Sequence, residues 1–301
     1  MSLIEQAIAA AKARRIEPDR TGRYRELPQA EPVALPVGLD AEPPPTVPTP
    51  EAEPPAPAVH ETPFDFSTVR VIATDPEVLR DNRVLIESSA RQPAEGAYRM
   101  LRTRVMRAMR GHGWRRLGIT AAGANEGKTL TALNLAISMA AQRTQPVVLV
   151  DLDLRRPKIN QYLGIPGDRF AGLSDYLSGT ADSVEDLLVS PGIDGLYCIL
   201  GSRSVDRSSD LLASPRGKAF MTGLAQKLTG ALLVFDLPPL LATDDPLVVA
   251  PMIDGLLFVV ADRISLRSEV ASAAKVLQEF NVVGTVLNRS SEPVKGGYYD
   301  Y

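Results

Sequence analysis

The sequence contains almost no cysteine or histidine. Its one cysteine, Cys198, excludes a disulfide framework and a cysteine-rich zinc site. Its two histidines, His60 and His112, exclude a multi-histidine metal centre. The scarcity of cysteine also indicates a reducing compartment, and we expect the protein to work there without a zinc site.

Long apolar runs and an excess of one charge are also missing. The most apolar stretch, residues 247–261, is broken by Pro251 and Asp254, whereas a membrane span needs about 20 apolar residues. Glu5 interrupts the N-terminus, which lacks the apolar core of a signal peptide. Lys and Arg number 33 against 36 Asp and Glu, so the balance gives no sign of a polyanionic partner. We expect a cytoplasmic protein that binds no nucleic acid.

Proline is concentrated near the N-terminus. Of 25 prolines, 13 fall between Pro18 and Pro63, and residues 17–64 carry nine acids against three arginines. A segment this rich in proline and poor in large apolar residues buries too little apolar surface to offset the conformational entropy lost on folding. Residues 17–80 are therefore predicted to form a disordered, Pro/Glu-rich flexible linker. Residues 1–16 have the pattern of a short amphipathic helix, which is either a docking element or a frayed end.

Residues 81–294 have the composition of one compact domain. Short apolar runs alternate with helical patterns, which predicts an α/β fold with a mostly parallel sheet and helices on both faces. Helical patterns follow Thr129, Ser214, Asp245 and Leu266. The predicted strands are 117–120, 147–150, 196–200, 232–235, 256–260 and 282–287.

The strongest motif is a glycine-containing loop between the first predicted strand and a predicted helix at 130–139. Its sequence at 122–129, Ala-Gly-Ala-Asn-Glu-Gly-Lys-Thr, fits the P-loop pattern except that alanine replaces the first glycine. Backbone N–H groups would surround the phosphates of ATP, Lys128 would neutralise the β and γ oxygens, and the Thr129 hydroxyl would bind Mg²⁺. The predicted nucleotide-binding residues are Gly123, Ala124, Asn125, Glu126, Gly127, Lys128, Thr129 and Leu130.

Three carboxylates follow predicted strands at what would be one edge of the sheet. Asp151 and Asp153 are spaced by two, so both point to one face of an extended chain. Two such carboxylates repel each other, and a divalent cation would relieve the repulsion. Asp236 ends another apolar strand in the Walker B manner, which holds Mg²⁺ directly or through water. We predict a Mg²⁺ site at Thr129, Asp153 and Asp236.

Asn288 ends the last predicted strand. Its amide carries both donors and an acceptor, so it is a candidate reader of the adenine edge. The alternative is a turn-forming asparagine that follows a strand.

The tail at 295–301 is rich in tyrosine. Tyr298, Tyr299 and Tyr301 follow a Gly-Gly pair that predicts an exposed, mobile end. Exposed tyrosines beside a nucleotide site are candidate phosphoryl acceptors, and a contact at an interface is the alternative.

Arginine is concentrated in one helical segment. Seven arginines lie between residues 99 and 116, and Arg99, Arg102 and Arg110 share one side of the predicted helix. A run of charged residues like this one usually forms a solvent-exposed face of a helix. No aromatic residues alternate with the arginines, so a protein interface is favoured over nucleic acid.

Together these motifs resemble the bacterial tyrosine kinase (BY-kinase) family of polysaccharide synthesis and export, specifically its cytoplasmic autokinase half. The resemblance covers roughly residues 97–301 and rests on the P-loop, the Asp-x-Asp-x-Arg, Asp-x-Pro-Pro and Leu-Asn-Arg strand ends, and the tyrosine tail. It implies a P-loop NTPase fold related to MinD/ParA ATPases and an ATP- and Mg²⁺-dependent protein-tyrosine autokinase. In that family the two strand-end aspartates serve metal binding and activation of the tyrosine hydroxyl. By resemblance the catalytic residues are Lys128, Asp151 and Asp153, and we expect Asp151 to accept the phenolic proton.

The resemblance also implies partners. The expected assembly is a homo-oligomer in which each tail enters a neighbour's site. A separate Wzz-like membrane chain-length regulator would supply an activating cytoplasmic segment and recruit the kinase to the inner face of the plasma membrane. Two positions depart from the family: Gly96 replaces the glutamate of the ring-forming Glu-x-x-Arg-x-x-Arg helix, and Leu237 replaces a threonine after Asp236.

Two other functions fit part of the pattern. A MinD/ParA-type ATPase switch would carry a second lysine where Gly123 stands, and it would not need the tyrosine tail. A nucleotide-binding scaffold without transfer activity is the other alternative.

Overall fold

A computed structural model describes residues 64–86 and 93–290. They form one eight-stranded sheet. Its strands are β1 (Arg70–Val71), β2 (Arg116–Ala121), β3 (Val147–Asp151), β4 (Leu188–Ser190), β5 (Leu196–Ile199), β6 (Leu232–Asp236), β7 (Gly255–Ala261) and β8 (Val282–Asn288). The α-helices in this part of the chain are α1 (Pro76–Asp81), α2 (Pro93–His112), α3 (Lys128–Ala140), α4 (Ile159–Tyr162), α5 (Leu173–Ser178), α6 (Ser208–Ala213), α7 (Pro215–Lys227), α8 (Asp245–Val249) and α9 (Arg267–Val276).

The strand order is β1-β4-β5-β3-β6-β2-β7-β8. All neighbours are parallel except β4 and β5, which are antiparallel. The connection between these two strands is only residues 191–195, and a connection that short joins antiparallel strands. The predicted mostly parallel α/β sheet is therefore confirmed.

All six predicted strands are present, as are helices after Thr129, Ser214, Asp245 and Leu266. Strands β1 and β4 were not predicted, because two and three residues are too few to show a periodic pattern. The predicted linker boundary at residue 80 is wrong. Strand β1 pairs with β4 and α1 buries Leu79, so the folded part already includes residues 64–80.

The central strands are apolar on both sides because helices cover both faces of the sheet. In β3, Val147 and Leu149 belong to the cluster packed under α2 and α3, whereas Val148 and Val150 belong to the cluster that includes α7. This alternation with a period of two places the whole strand in the core. In the described part of the chain, no helix has the length and apolar character that a membrane crossing requires.

The topology places the carboxyl ends of five strands together. Strand β6 lies between β3 and β2, and β2 also pairs with β7, which pairs with β8. Because these strands are parallel, their carboxyl ends lie at one edge, where α/β sheets bind ligands. The P-loop follows β2, and Asp151, Asp236 and Asn288 end β3, β6 and β8.

The predicted N-terminal helix at 1–16, most of the linker, and the tail at 295–301 lie outside the described residues.

Candidate active site

The P-loop lies between β2 and α3 and needs glycine at one position. Gly127 is the N-cap of α3 with φ +90°, a left-handed conformation that side chains disfavour. A Cβ at Gly127 would lie 2.1 Å from Nδ2 of Asn288, so the close approach of β8 also requires glycine. Asn125 is left-handed as well, at φ +62°. These turns bring the loop's backbone over the start of α3, where helix N–H groups favour an anion.

The side chain of Glu126 braces the loop from inside. It is buried, at 1% exposure. The N–H of Gly123 donates to its Oε2 at 3.1 Å, and the Ser265 hydroxyl, which follows β7, donates to its Oε1. Glu126 was predicted as a nucleotide-binding residue, and the structure gives its carboxylate a role in loop shape. No sequence motif indicated this brace, since Ser265 lies 139 residues further along the chain.

The end of β8 also holds the loop. Nδ2 of Asn288 donates to the backbone oxygen of Glu126 at 2.9 Å, and a guanidinium N–H of Arg289 donates to the backbone oxygen of Asn125 at 3.0 Å. The Oδ1 of Asn288 accepts from the N–H of Arg289 at 2.9 Å. Asn288 therefore contacts the P-loop backbone, and adenine recognition by this residue stays a prediction.

Lys128 lies between two carboxylates. Its Nζ is 2.8 Å from Oδ2 of Asp153 and 3.3 Å from Oδ1 of Asp236. Burial by itself would lower the pKa of Lys128, but the charges of Asp236 and Asp153 outweigh it and raise the pKa. Lys128 is therefore a fixed positive charge at the centre of the site.

Asp236 has no exposed surface. Its Oδ2 is buried and has no hydrogen-bond partner among the described residues. Burial raises the pKa of this carboxyl group above its usual value. A buried oxygen without a partner is costly, and a cation bound at this point would satisfy it.

Asp151 and Asp153 are placed differently, although they are only two residues apart. The carboxylate of Asp151 accepts three backbone N–H groups, from Asp153 at 3.2 Å, Lys158 at 3.1 Å and Ile159 at 3.2 Å. Burial and the neighbouring Asp236 raise the pKa of Asp151 to about 8. Asp153 instead contacts Lys128, and its Oδ1 accepts the N–H of Arg156 at 3.1 Å.

A cavity of about 390 Å³ opens beside these groups. Its walls include five P-loop and α3 residues, Asp153 with the basic residues that follow it, and the segment after β6. Asp153 is on the wall and Asp151 is not, so this geometry does not favour the prediction that Asp151 meets the phenol. The other predicted site residues that do not line the cavity are Gly123, Glu126, Leu130, Asp236 and Asn288. Leu130 packs against the core instead.

The oxygen atoms at this edge fit Mg²⁺ held together with phosphates. Mg²⁺ is usually bound by one or two carboxylates, waters and substrate phosphates rather than by an all-protein cage. Thr129, Asp153 and the orphaned Oδ2 of Asp236 provide that partial set. Within residues 64–86 and 93–290, no group of three His, Cys, Asp or Glu side chains is arranged to hold a metal by itself. The predicted residues Thr129, Asp153 and Asp236 would therefore share the ion with a nucleotide.

Several cavity residues were missed by the sequence analysis. Arg156 and Lys158 lie in the loop after Asp153, and Tyr162 is in α4. The basic run Arg-Arg-Pro-Lys was visible in the sequence, but its position at the cavity was not. Arg289 also lines the cavity.

The arginine helix, α2, is only partly free. Arg99 and Arg110 are exposed, whereas a guanidinium N–H of Arg102 donates to the backbone oxygen of Ser138 in α3 at 2.7 Å. Arg102 is therefore tied to its own domain, and the predicted interface is not a uniform arginine stripe.

The candidate acceptors Tyr298, Tyr299 and Tyr301 lie outside the described residues.

Comparison with curated proteins finds relatives over this domain. EpsB of Ralstonia nicotianae is 31% identical over 198 residues, which are 65% of this chain and 26% of EpsB. The tyrosine-protein kinase Etk of Escherichia coli K12 is 29% identical over 194 residues, which are 64% of this chain and 26% of Etk. The chain thus spans about a quarter of the length of these relatives. The tyrosine-protein kinase YwqD of Bacillus subtilis is 27% identical over 208 residues, which are 67% of this chain and 84% of YwqD.

Comparison with solved structures finds kinase domains with a similar fold. The kinase domain of Escherichia coli Etk has a TM-score of 0.58 at 26% identity and covers 76% of this chain and 94% of that domain. The VpsO kinase domain has a TM-score of 0.56 at 29% identity and covers 65% of this chain and 96% of that domain. No protein-family model matches the sequence.

Proposed function

The P-loop domain of this chain belongs to the bacterial tyrosine kinase family, and on this premise we propose that the chain transfers the γ-phosphoryl group of ATP to tyrosine. The observation that carries the proposal is the position of Lys128 between Asp153 and Asp236, on the wall of a cavity that the P-loop helps to form. One fixed cation beside carboxylates suited to Mg²⁺ is the arrangement that phosphoryl transfer requires.

The reaction breaks the bond between the γ-phosphorus and the oxygen that bridges it to the β-phosphate. A new bond forms between that phosphorus and the phenolic oxygen of tyrosine, and ADP leaves. The P-loop amides and Lys128 hold and neutralise the phosphates, so negative charge in the transition state is stabilised by preorganised groups. Mg²⁺, when bound, neutralises further charge on the phosphate oxygens.

The phenolic proton passes to a carboxylate at the end of β3. Free tyrosine has a pKa near 10, so a nearby base must orient the hydroxyl or accept its proton as transfer proceeds. Asp153 is the carboxylate on the cavity wall. Its Oδ2 pairs with Lys128 and would face Mg²⁺, so its Oδ1, which accepts one N–H from Arg156, is the oxygen proposed to meet the hydroxyl. Asp151 holds the 152–159 loop through its three N–H contacts and thereby positions Asp153. This assigns the base differently from the resemblance, which implied Asp151.

The proposed acceptors are the tail tyrosines Tyr298, Tyr299 and Tyr301, reached between copies of the chain. Each phosphate adds about −1.5 to −2 charges, and this charge would weaken docking beside the site's carboxylates. Phosphorylation would thus release a tail and allow an assembly to cycle. As the resemblance implies, the proposed setting is the cytoplasmic face of the membrane, where a Wzz-like regulator of exopolysaccharide synthesis supplies the activating segment.

The fate of the γ-phosphoryl group tests this proposal. The full chain is incubated with Mg²⁺ and γ-labelled ATP, with candidate regulator segments added, and label in protein is separated from released phosphate. Label in protein as phosphotyrosine supports a kinase. Release of phosphate without labelled protein would instead indicate an ATPase switch, and ATP binding without turnover would indicate a scaffold.

A further inference from the structure

A second cavity adjoins the phosphate cavity. It has a volume of about 360 Å³ and shares one wall with the first, the loop that follows Asp153. Arg155, Arg156 and Lys158 line both cavities, and Arg203 lines only the second. No Asp or Glu is among the residues that line the second cavity. Its wall is therefore strongly positive.

Most of this positive charge is not compensated within the described part of the chain. Arg156 and Lys158 have no ion pair or side-chain hydrogen bond there. Nε of Arg155 donates to the Ser208 hydroxyl at 3.1 Å, which leaves its charge unpaired. Arg203 is 3.3 Å from Asp175 but keeps 55% of its side chain exposed. Four clustered cations repel one another, and an anion bound among them would remove that repulsion.

The position of the cavity separates it from the nucleotide phosphates. Those phosphates are addressed by the P-loop amides and by Lys128, which line the first cavity and not the second. The basic loop begins two residues after Asp153, the carboxylate proposed to meet the acceptor hydroxyl. An anion held in the second cavity would therefore belong to the molecule that receives the phosphoryl group.

The tail of the chain has the matching charge. Asp300 lies between Tyr299 and Tyr301. Consecutive Cα atoms are about 3.8 Å apart, so a residue next to an acceptor tyrosine is brought to the same part of the surface as that tyrosine. Arginine and lysine side chains at the junction of the two cavities suit such a carboxylate.

We propose that the cavity formed by Arg155, Arg156, Lys158 and Arg203 is a docking subsite for the acidic residue beside the acceptor tyrosine. Its occupant is Asp300 in the tail of a second copy of this chain. The subsite selects tyrosines with an acidic neighbour, so it sets substrate specificity. This inference rests on the proposed function, because it assumes that the tail is the acceptor.

Peptide kinetics with the full chain test the subsite. The substrate is a synthetic peptide with the sequence of residues 295–301, compared with the same peptide carrying Asp300→Asn. With wild-type enzyme the Asp300→Asn peptide should have a KM about 5- to 10-fold higher at unchanged kcat. In the enzyme variants Arg203→Gln and Lys158→Gln, this ratio of KM values should fall to about 2-fold or less. A ratio near 1 in the wild type, or an unchanged ratio in both variants, would overturn the inference.

Two controls keep the outcome specific. Arg143→Gln removes an arginine whose side chain is 72% exposed and paired with Asp194, outside the residues of either cavity, and it should keep the full KM ratio. The KM for ATP is measured for each variant, since Lys158 also lines the phosphate cavity.

A binding measurement separates this inference from the proposed function. A fluorescent version of the peptide with phenylalanine in place of tyrosine is titrated with the full chain in the absence of ATP. Binding that depends on Asp300, without any phosphorylation of the tyrosine peptide, would support the subsite and contradict the kinase. Phosphorylation of the tyrosine peptide, together with peptide binding that is unchanged by Asp300→Asn, would support the kinase and overturn the subsite.

Discussion

The ammonium group of Lys128 lies 2.8 Å from the carboxylate of Asp153, and both side chains are almost fully buried. A buried ion pair is sensitive to removal of one partner, because the remaining charge stays in a medium that solvates it poorly. Lys128 therefore supports the fold as well as the chemistry.

Lys128→Met should abolish phosphotyrosine formation and also destabilise the domain. It leaves the carboxylates of Asp153 and Asp236 without their common counter-charge, which should lower the free energy of unfolding by about 3 kcal/mol. Urea titration followed by circular dichroism measures this loss. The matched variant Arg143→Gln breaks an exposed pair and should change stability by less than about 0.5 kcal/mol. Equal stability for the two variants would contradict the buried pair.

Gly127→Ala should be much more damaging than Gly230→Ala. Both glycines have positive φ, +90° and +98°, but a Cβ at Gly127 meets Asn288 whereas one at Gly230 meets open space. We expect a cost of about 1 kcal/mol at Gly230, from backbone strain alone, and about 3 kcal/mol at Gly127. Thermal melts provide the comparison. If the two substitutions cost the same, β8 does not pack on the P-loop as described.

Glu126→Ala and Ser265→Ala should both raise the KM for ATP, by about 10-fold, at nearly unchanged kcat. Each removes one side of the brace that shapes the loop, so each loosens the amides that hold phosphate. The double variant should be little worse than the more severe single variant, since the two residues act through one contact. Fully additive losses of ATP affinity would show that they act independently.

Asp151→Asn should mainly affect stability, whereas Asp153→Asn should mainly affect kcat. An asparagine at 151 has one acceptor oxygen where the structure uses two, so one N–H donor would face its amino group. We expect Asp151→Asn to lower stability by about 2 kcal/mol. We expect Asp153→Asn to lower kcat; it also breaks the buried pair with Lys128, but Asp236 stays as a counter-charge, so its loss of stability should be smaller than that of Lys128→Met. Stability curves and kcat for the two proteins decide the assignment. A large loss of kcat in a fully stable Asp151→Asn protein would favour Asp151 as the base.

Asp254 should contribute to stability only above moderately acid pH. Burial would raise the pKa of this carboxyl group, but hydrogen bonds from the Arg116 side chain and from two backbone N–H groups outweigh it and lower the pKa. A depressed folded-state pKa gives stability that is present above the unfolded pKa, about 3.9, and is lost as pH falls through the folded value. Asp254→Asn should therefore be less stable at pH 6 and should lose less stability than the wild type between pH 5 and pH 3.

The sequence predicted the parts of the site that depend on local pattern. Lys128, Thr129, Asp153 and Asp236 lie at one sheet edge because the apolar strands and the P-loop fix where each strand ends. The strand β1 escaped prediction because its pairing with β4 is a tertiary contact between very short segments.

Other features of the site escaped prediction for the same kind of reason. The burial of Glu126 depends on Ser265, which arrives from a distant strand. The different roles of Asp151 and Asp153 come from the turn after β3, which the spacing of two residues does not reveal.

Phosphosite mapping is the most direct measurement of the central claim. The full chain is incubated with ATP and Mg²⁺, alone and with candidate regulator segments, and its peptides are analysed by mass spectrometry beside those of Lys128→Met. We predict phosphate on Tyr298, Tyr299 or Tyr301 in the wild type and on none of them in the variant. Phosphotyrosine that persists without Lys128, or a wild-type tail that stays unmodified under every condition while ATP is bound, would contradict the account.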